Sequence, residues 1–122
     1  MGSIDDAARP KQGEIWLTAF GAAKVGEPGK TRPAVVLSAD GQSVGSVYDL
    51  VVVAPLTSTL SPSEVRPQVA ASSESGLAVD SVVVVRALRG VSATRLAKCI
   101  GRVDITTLMD IRVVLETVLD LP

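Results

Sequence analysis

Two valine-rich runs, Leu50-Val51-Val52-Val53-Ala54 and Val82-Val83-Val84-Val85, constrain the fold of this chain more than any other feature. β-Branched side chains are stiff at χ1 and pack well on a pleated surface, so runs like these read as strands. Unbroken valine also implies burial on both faces of the third strand, Leu50 to Thr57. Glycine, proline and short polar clusters interrupt the chain on either side, which keeps strands short and turns frequent. The period changes only near the C-terminus. There Leu108, Ile111, Leu115 and Val118 recur at steps of three, four and three behind Asp104, a good helix cap. The spacing predicts one helix from Ile105 to about Asp120.

Between these landmarks the rest of a mainly β chain can be placed. Gly13 to Phe20 alternates as a first strand, with Trp16 turned into the core or an interface and Glu14 turned outward. Gly21 to Arg32 is rich in glycine and charge and reads as a mobile loop. Pro33 restarts the chain into a second strand, Ala34 to Ser38. Pro55 belongs at an edge or bulge, because it cannot donate to a ladder. Val65 to Ala71 is a weaker edge strand broken by Pro67, and Asp80 to Leu88 is a strand. Ser92 caps a short helical turn through Arg95 and Leu96, and Ile100 to Val103 returns to the sheet. Five or six short strands and a single helix predict a small, strongly curved barrel. Residues 11–122 form one domain in this reading and 1–10 a tail, in which Met1-Gly2-Ser3 resembles a cloning scar.

Composition removes several classes of function. The chain has 122 residues and no histidine, so zincin sites, Ser-His-Asp triads and Cys-His pairs are excluded. A lone Cys99 cannot form an internal disulfide, which points to a reducing, cytoplasmic setting, and its apolar neighbours suggest a packed small hydrophobe. No apolar run approaches the roughly 18 residues of a membrane span. With one Phe, one Trp and one Tyr, aliphatic side chains must fill the core. A base-stacking platform or an aromatic peptide groove is equally out of reach.

The net charge of −1 conceals an uneven distribution. Residues 9–102 carry 11 bases and 7 acids, and five bases with no acid fall between Ser81 and Val103. Acids gather instead at both ends. A polyanion could therefore bind the body of the chain, although a solvated basic edge would give the same pattern. Lys30, Thr31 and Arg32 follow two glycines and Pro28, and Pro33 then stiffens the chain. An arginine so placed can grip a phosphate bidentately, and Glu27 lies on the same loop as a pairing partner or base. The spacing is not that of a phosphate-binding P-loop, which runs into a helix. Thr57 and Ser58 end the third strand, where hydroxyls either satisfy a turn or donate to a phosphate oxygen.

These motifs occur together in a recognisable order. Gly13-Glu14-Ile15-Trp16-Leu17 is followed by Gly26-Glu27-Pro28-Gly29-Lys30-Thr31-Arg32-Pro33, then by Val53-Ala54-Pro55-Leu56-Thr57-Ser58. Ser75-Gly76-Leu77, Asp80-Ser81-Val82-Val83 and Ile100-Gly101-Arg102-Val103 complete a pattern that resembles the MazF/PemK (Kid) family of toxin endoribonucleases over residues 11–121. The resemblance implies an SH3-like barrel of the MazF/CcdB type with a C-terminal helix, assembled as a homodimer. It implies cutting of single-stranded RNA without a metal or other cofactor, and an antitoxin partner whose acidic tail silences the toxin.

Carried onto this chain, the family's catalytic arginine and threonine fall on Arg32 and Thr57, and its loop glutamate on Glu27. Lys30, Thr31, Ser58, Arg86 and Arg89 are the expected RNA contacts. In a metal-free ribonuclease the 2′-OH is the nucleophile, leaving a 2′,3′-cyclic phosphate and a 5′-OH. One segment departs from the pattern: Val85-Arg86-Ala87-Leu88-Arg89-Gly90 stands where many relatives carry an acidic or amide residue and a hydroxyl. Two alternatives share the fold: a catalytically silent homologue that binds RNA or antitoxin, and a CcdB-like gyrase poison. The latter acts through a terminal aromatic that this chain lacks.

Overall fold

A computed structural model describes residues 9–21, 30–39, 50–59 and 63–122. Seven strands and one helix follow in order: β1 (Glu14–Ala19), β2 (Thr31–Val36), β3 (Leu50–Thr57), β4 (Gln68–Val69), β5 (Ser81–Val83), β6 (Arg89–Ser92), β7 (Leu96–Arg102) and α1 (Ile105–Val118). The strands make one curved, antiparallel half-barrel in the order β4-β5-β3-β2-β1-β7, with β6 also paired to β3. No helix among the described residues is long and apolar enough to cross a membrane.

Alternation along β1, β2 and β3 divides the interior into two cores. Ile15, Val35, Ala54 and Leu56 face α1, where they meet Val83, Val85, Ile111 and Val114. Their neighbours Trp16, Ala34, Val36 and Val53 point to the other face and pack with Val91, Ala93 and Leu96. The central strands are therefore covered on both sides, as the valines of β3 require. Two aliphatic layers of this kind hold the sheet with few aromatics.

Pro55 lies inside β3 and not at an edge. Its carbonyl accepts the Val84 N–H at 2.8 Å, and in a strand the N–H and C=O of one residue point to the same side. The missing donor thus faces the junction where β3 changes partners, from β6 at Leu50–Val53 to β5 at Leu56–Thr57. The same junction shortens the expected strand from Asp80 to Leu88. After Val83 the chain folds into a 3-10 turn, Val85–Ala87, closed by the Ala87 N–H on Val84 O at 3.0 Å. Val85 stays fully buried, so a valine run serves a corner as well as a strand.

Three further details differ from the sequence reading. Arg89–Ser92 forms β6, an additional strand on β3. β2 begins at Thr31, so Pro33 lies within it, opposite Leu17. Trp16 is buried, but Glu14 turns to the same side of β1 and accepts the indole N–H at 3.0 Å. That bond satisfies the one polar group of the tryptophan. Ser92 caps its short turn as expected, accepting the Thr94 N–H at 3.3 Å. Asp104 caps α1 through the Thr107 N–H at 2.8 Å, and these bonds from Thr107 hold its carboxyl below the usual aspartate value.

The rims of the half-barrel meet through the turn at residues 72–76. Ser75 is buried and its hydroxyl donates to Ala70 O at 2.8 Å while accepting N–H groups of Ser72 and Leu77. The turn then lies directly on β7: Arg102 N–H donates to Glu74 O at 2.9 Å. A Cβ added to Gly101 would stand 2.3 Å from Ser75 backbone atoms, and one on Gly76 would stand 1.9 Å from Ile100 O. Gly76 also sits at φ +72, a region that side chains disfavour. Gly101→Ala should therefore lose about 3 kcal/mol or more of stability by overpacking, measured as a lower urea midpoint with unchanged slope. Gly90→Ala, whose Cβ would meet nothing nearer than 3.8 Å, should stay within about 0.5 kcal/mol of the parent or gain slightly.

Candidate functional site

The β2–β3 ladder pairs Val36 with Val53, Val35 with Ala54 and Ala34 with Pro55. Two steps further along the same register stand Arg32 and Thr57, on the face shared by Ala34, Val36 and Val53. Core residues thus give way to polar ones at the strand ends. On its other side Arg32 pairs with Thr18 of β1. Thr18 is fully buried, and its hydroxyl donates to Trp16 O at 3.0 Å, so the floor beneath Arg32 holds no unsatisfied group.

Arg32 and Thr57 open into a groove of about 390 Å³, enough for a ligand of nucleotide size. Arg32, Pro33 and the hydroxyl residues Thr57, Ser58 and Thr59 line one side. Leu77, Ala78, Val79 and Ser81 line the other, directly after the 72–76 turn that joins the rims. Arg32 and Ser58 are exposed and Thr57 is half-buried. Thr57 Oγ1 accepts the Thr59 N–H at 3.2 Å. That bond fixes the turn and leaves the hydroxyl proton free of it, so the turn and phosphate-donor readings of Thr57 are compatible.

Other expected contacts lie elsewhere or beyond the described residues. Lys30 and Thr31 are exposed at the start of β2, and Lys30 O accepts the Phe20 N–H at 3.0 Å. Glu27 falls outside the described residues. Arg86 lies in the 3-10 turn against Val65, Arg66 and Val84, away from the groove. Arg89 turns to Phe20, donating to its carbonyl at 3.4 Å with the guanidinium 5.7 Å from the ring centroid. The structure therefore unites Arg32, Thr57 and Ser58, and brings neither Arg86 nor Arg89 to them. The wall Leu77–Val79 carries no chemical signature in the sequence; only its place between Ser75-Gly76 and Asp80-Ser81 hints at it.

Comparison with known proteins turns this geometry into a family. Residues 11–119 match the family model described as PemK-like, MazF-like toxin of type II toxin-antitoxin system. This chain belongs to that family. It is 29% identical over 114 residues to Endoribonuclease MazF9 of Mycobacterium tuberculosis, across 91% of this chain and 97% of that protein. Its fold matches a MazF chain from a MazE-MazF crystal structure of Deinococcus radiodurans with a TM-score of 0.79 at 23% identity, covering 93% of this chain and 98% of the other. Mycobacterium tuberculosis toxin MazF-mt6 gives a TM-score of 0.73 at 20% identity, covering 89% and 98%.

The remaining reactive group of this MazF-like toxin is Cys99, which is exposed on β7 and not packed as its neighbours suggested. β7 ends the sheet, so its outward residues meet solvent. The thiol donates to Gly101 O at 3.6 Å. Partial burial and, to a lesser extent, nearby Glu14 push its pKa above the ordinary thiol range. Among the described residues no three His, Cys, Asp or Glu side chains are grouped to hold a metal ion. Because only the thiolate reacts, alkylation of Cys99 by iodoacetamide should be slower at pH 7.5 than that of an unstructured cysteine peptide. Its rate should rise with pH and level off at a higher pH than that of the peptide.

Proposed function

We propose that this MazF-family toxin is an endoribonuclease that cuts single-stranded RNA at the groove between Arg32 and Thr57. The observation that carries the reading is the meeting of a guanidinium and a hydroxyl, from adjacent strands, in one open groove of nucleotide size. A phosphate seated there would be gripped by Arg32 through a fork of N–H donors and fixed by the Thr57 hydroxyl on a non-bridging oxygen. The 29% identical MazF9 bears the name endoribonuclease, and an arginine and a threonine on one groove would suit that chemistry.

The reaction follows from the substrate. The ribose 2′-OH attacks the adjacent phosphorus in line, the P–O5′ bond breaks, and the products are a 2′,3′-cyclic phosphate and a 5′-OH. Negative charge grows on the phosphorane oxygens, and preorganised donors aimed at them lower the barrier. A guanidinium effectively never loses its proton at neutral pH, so Arg32 stabilises charge and hydrogen-bonds the leaving 5′ oxygen, which takes its proton from water. The 2′-OH proton goes to Glu27 or to water. Ser58 lines the groove as a phosphate contact, and Lys30 and Thr31, exposed just before Arg32, extend the contact along the RNA backbone. The family is one of toxin–antitoxin systems, so the partner is an antitoxin, and an acidic tail of that antitoxin would compete with RNA for the cations. The active form is a homodimer working in the cytoplasm.

The test is a long single-stranded RNA incubated in EDTA with the parent protein and two variants, with mapping of the new ends. The parent should give discrete cuts bearing 5′-OH ends. Arg32→Ala should cut at least about 100-fold more slowly, and Thr57→Val about 10- to 100-fold more slowly. A 2′-deoxy residue at the cut site should abolish cleavage there. Full activity of Arg32→Ala would remove the assigned chemistry, and no cuts in any RNA would leave a silent homologue.

A further inference from the structure

Two arginines outside the groove converge on one short stretch of backbone. Arg89 Nη1 donates to Phe20 O at 3.4 Å, with the guanidinium 5.7 Å from the Phe20 ring centroid. Arg95 Nη1 donates to Ala19 O at 3.3 Å. Both carbonyls belong to the end of β1, and both arginines project from well-anchored chain. Arg89 stands in β6 opposite Val53, and Arg95 ends the 3-10 turn capped by Ser92. A planar guanidinium suits this task, because it can cover a ring and donate in its own plane.

The clamped stretch is the one that places Arg32. Thr18 pairs with Arg32 and Ala19 with Thr31, while Phe20 N–H reaches Lys30 O at 3.0 Å. On its β3 side the ladder stops at Ala34–Pro55. The first residues of β2 are therefore held mainly by β1, whose own end is held by Arg89 and Arg95. We infer that Arg89 and Arg95 are positioning residues for RNA cleavage, fixing Arg32 through the end of β1 and not gripping RNA themselves. This rests on the ribonuclease reading above and reassigns Arg89, which charge alone made an RNA contact.

The two roles differ in salt dependence and in backbone protection. A cation that neutralises a phosphate of single-stranded RNA contributes about 0.7 to the slope of log K against log salt. A clamp contributes nothing to it. The test uses full-length Arg89→Ala, Arg95→Ala and Arg89→Lys, with Arg112→Ala as a charge control. Arg112 pairs only loosely with Glu116, at 3.9 Å on α1, far along the chain from the groove. Binding to RNA carrying a 2′-deoxy residue at the cut site is measured from 50 to 200 mM salt. Single-turnover cleavage and amide hydrogen exchange of Arg32, whose N–H faces β1, are measured alongside.

The expected result is an unchanged affinity and salt slope, cleavage of bound RNA slowed about tenfold, and faster exchange at Arg32. Arg89→Lys should fall between parent and alanine variant, and Arg112→Ala should match the parent throughout. A salt slope reduced by about 0.7 per arginine, with normal cleavage of bound RNA, would make them direct contacts and overturn the inference. Unchanged exchange at Arg32 would overturn it too. If the parent cuts no RNA, the ribonuclease reading fails, and the exchange data still decide whether the clamp holds β2.

Discussion

The contact between the 72–76 turn and β7 is the constraint on which both halves of the molecule depend. Backbone lies on backbone there, because Gly76 and Gly101 leave no side chain between them. In one direction the chain leaves the turn as Leu77–Ser81 and builds a wall of the groove. In the other, β7 continues to Val103, whose N–H meets Gly13 O at 2.9 Å before Asp104 starts α1. A displacement of this contact would move the groove wall and the helix together. The Ser75 hydroxyl makes the turn stiff enough for that task, since each of its bonds is to backbone or to Ser72.

Polar groups at strand ends let a small aliphatic fold present a groove lined by a guanidinium and hydroxyls. The face of β2 and β3 that buries Ala34, Val36 and Val53 emerges two residues later as Arg32 and Thr57. Side chains mounted on paired strands are held more firmly than side chains on free loops. The opposite wall is apolar apart from Ser81, whose hydroxyl is turned to Val79 O at 3.1 Å. Charge and hydroxyl groups thus share the groove with the aliphatic surface of Pro33, Leu56 and Leu77–Val79, an arrangement suited to a ligand that carries both a phosphate and a flat ring.

Much of this was legible where one local rule decided the outcome. β1, β3 and α1 follow from period, and Asp104 and Ser92 cap as their chemistry demands. Tertiary context decided the rest. Val82 to Val85 could not announce a corner, because burial asks for valine in a corner as in a strand. β6 was hidden by Arg89-Gly90-Val91-Ser92, where only Val91 is buried and apolar. Cys99 looked packed by its neighbours, but edge placement of β7 exposes it. Arg32 and Thr57 could be singled out from motif order, whereas Arg89 could not be assigned without seeing Phe20 beside it. Leu77 to Val79 had no chemical signal at all.

The central claim is that RNA is held where the ends of β2 and β3 face the segment after the 72–76 turn. It is tested most directly by titrating the 15N-labelled toxin with a short RNA made uncleavable by a 2′-deoxy residue, and following every backbone amide. The largest shifts should cluster at Arg32, Thr57–Thr59 and Leu77–Ser81, with α1 little changed. Shifts centred on α1 or on the outer edge of β7, with a quiet groove, would contradict the account.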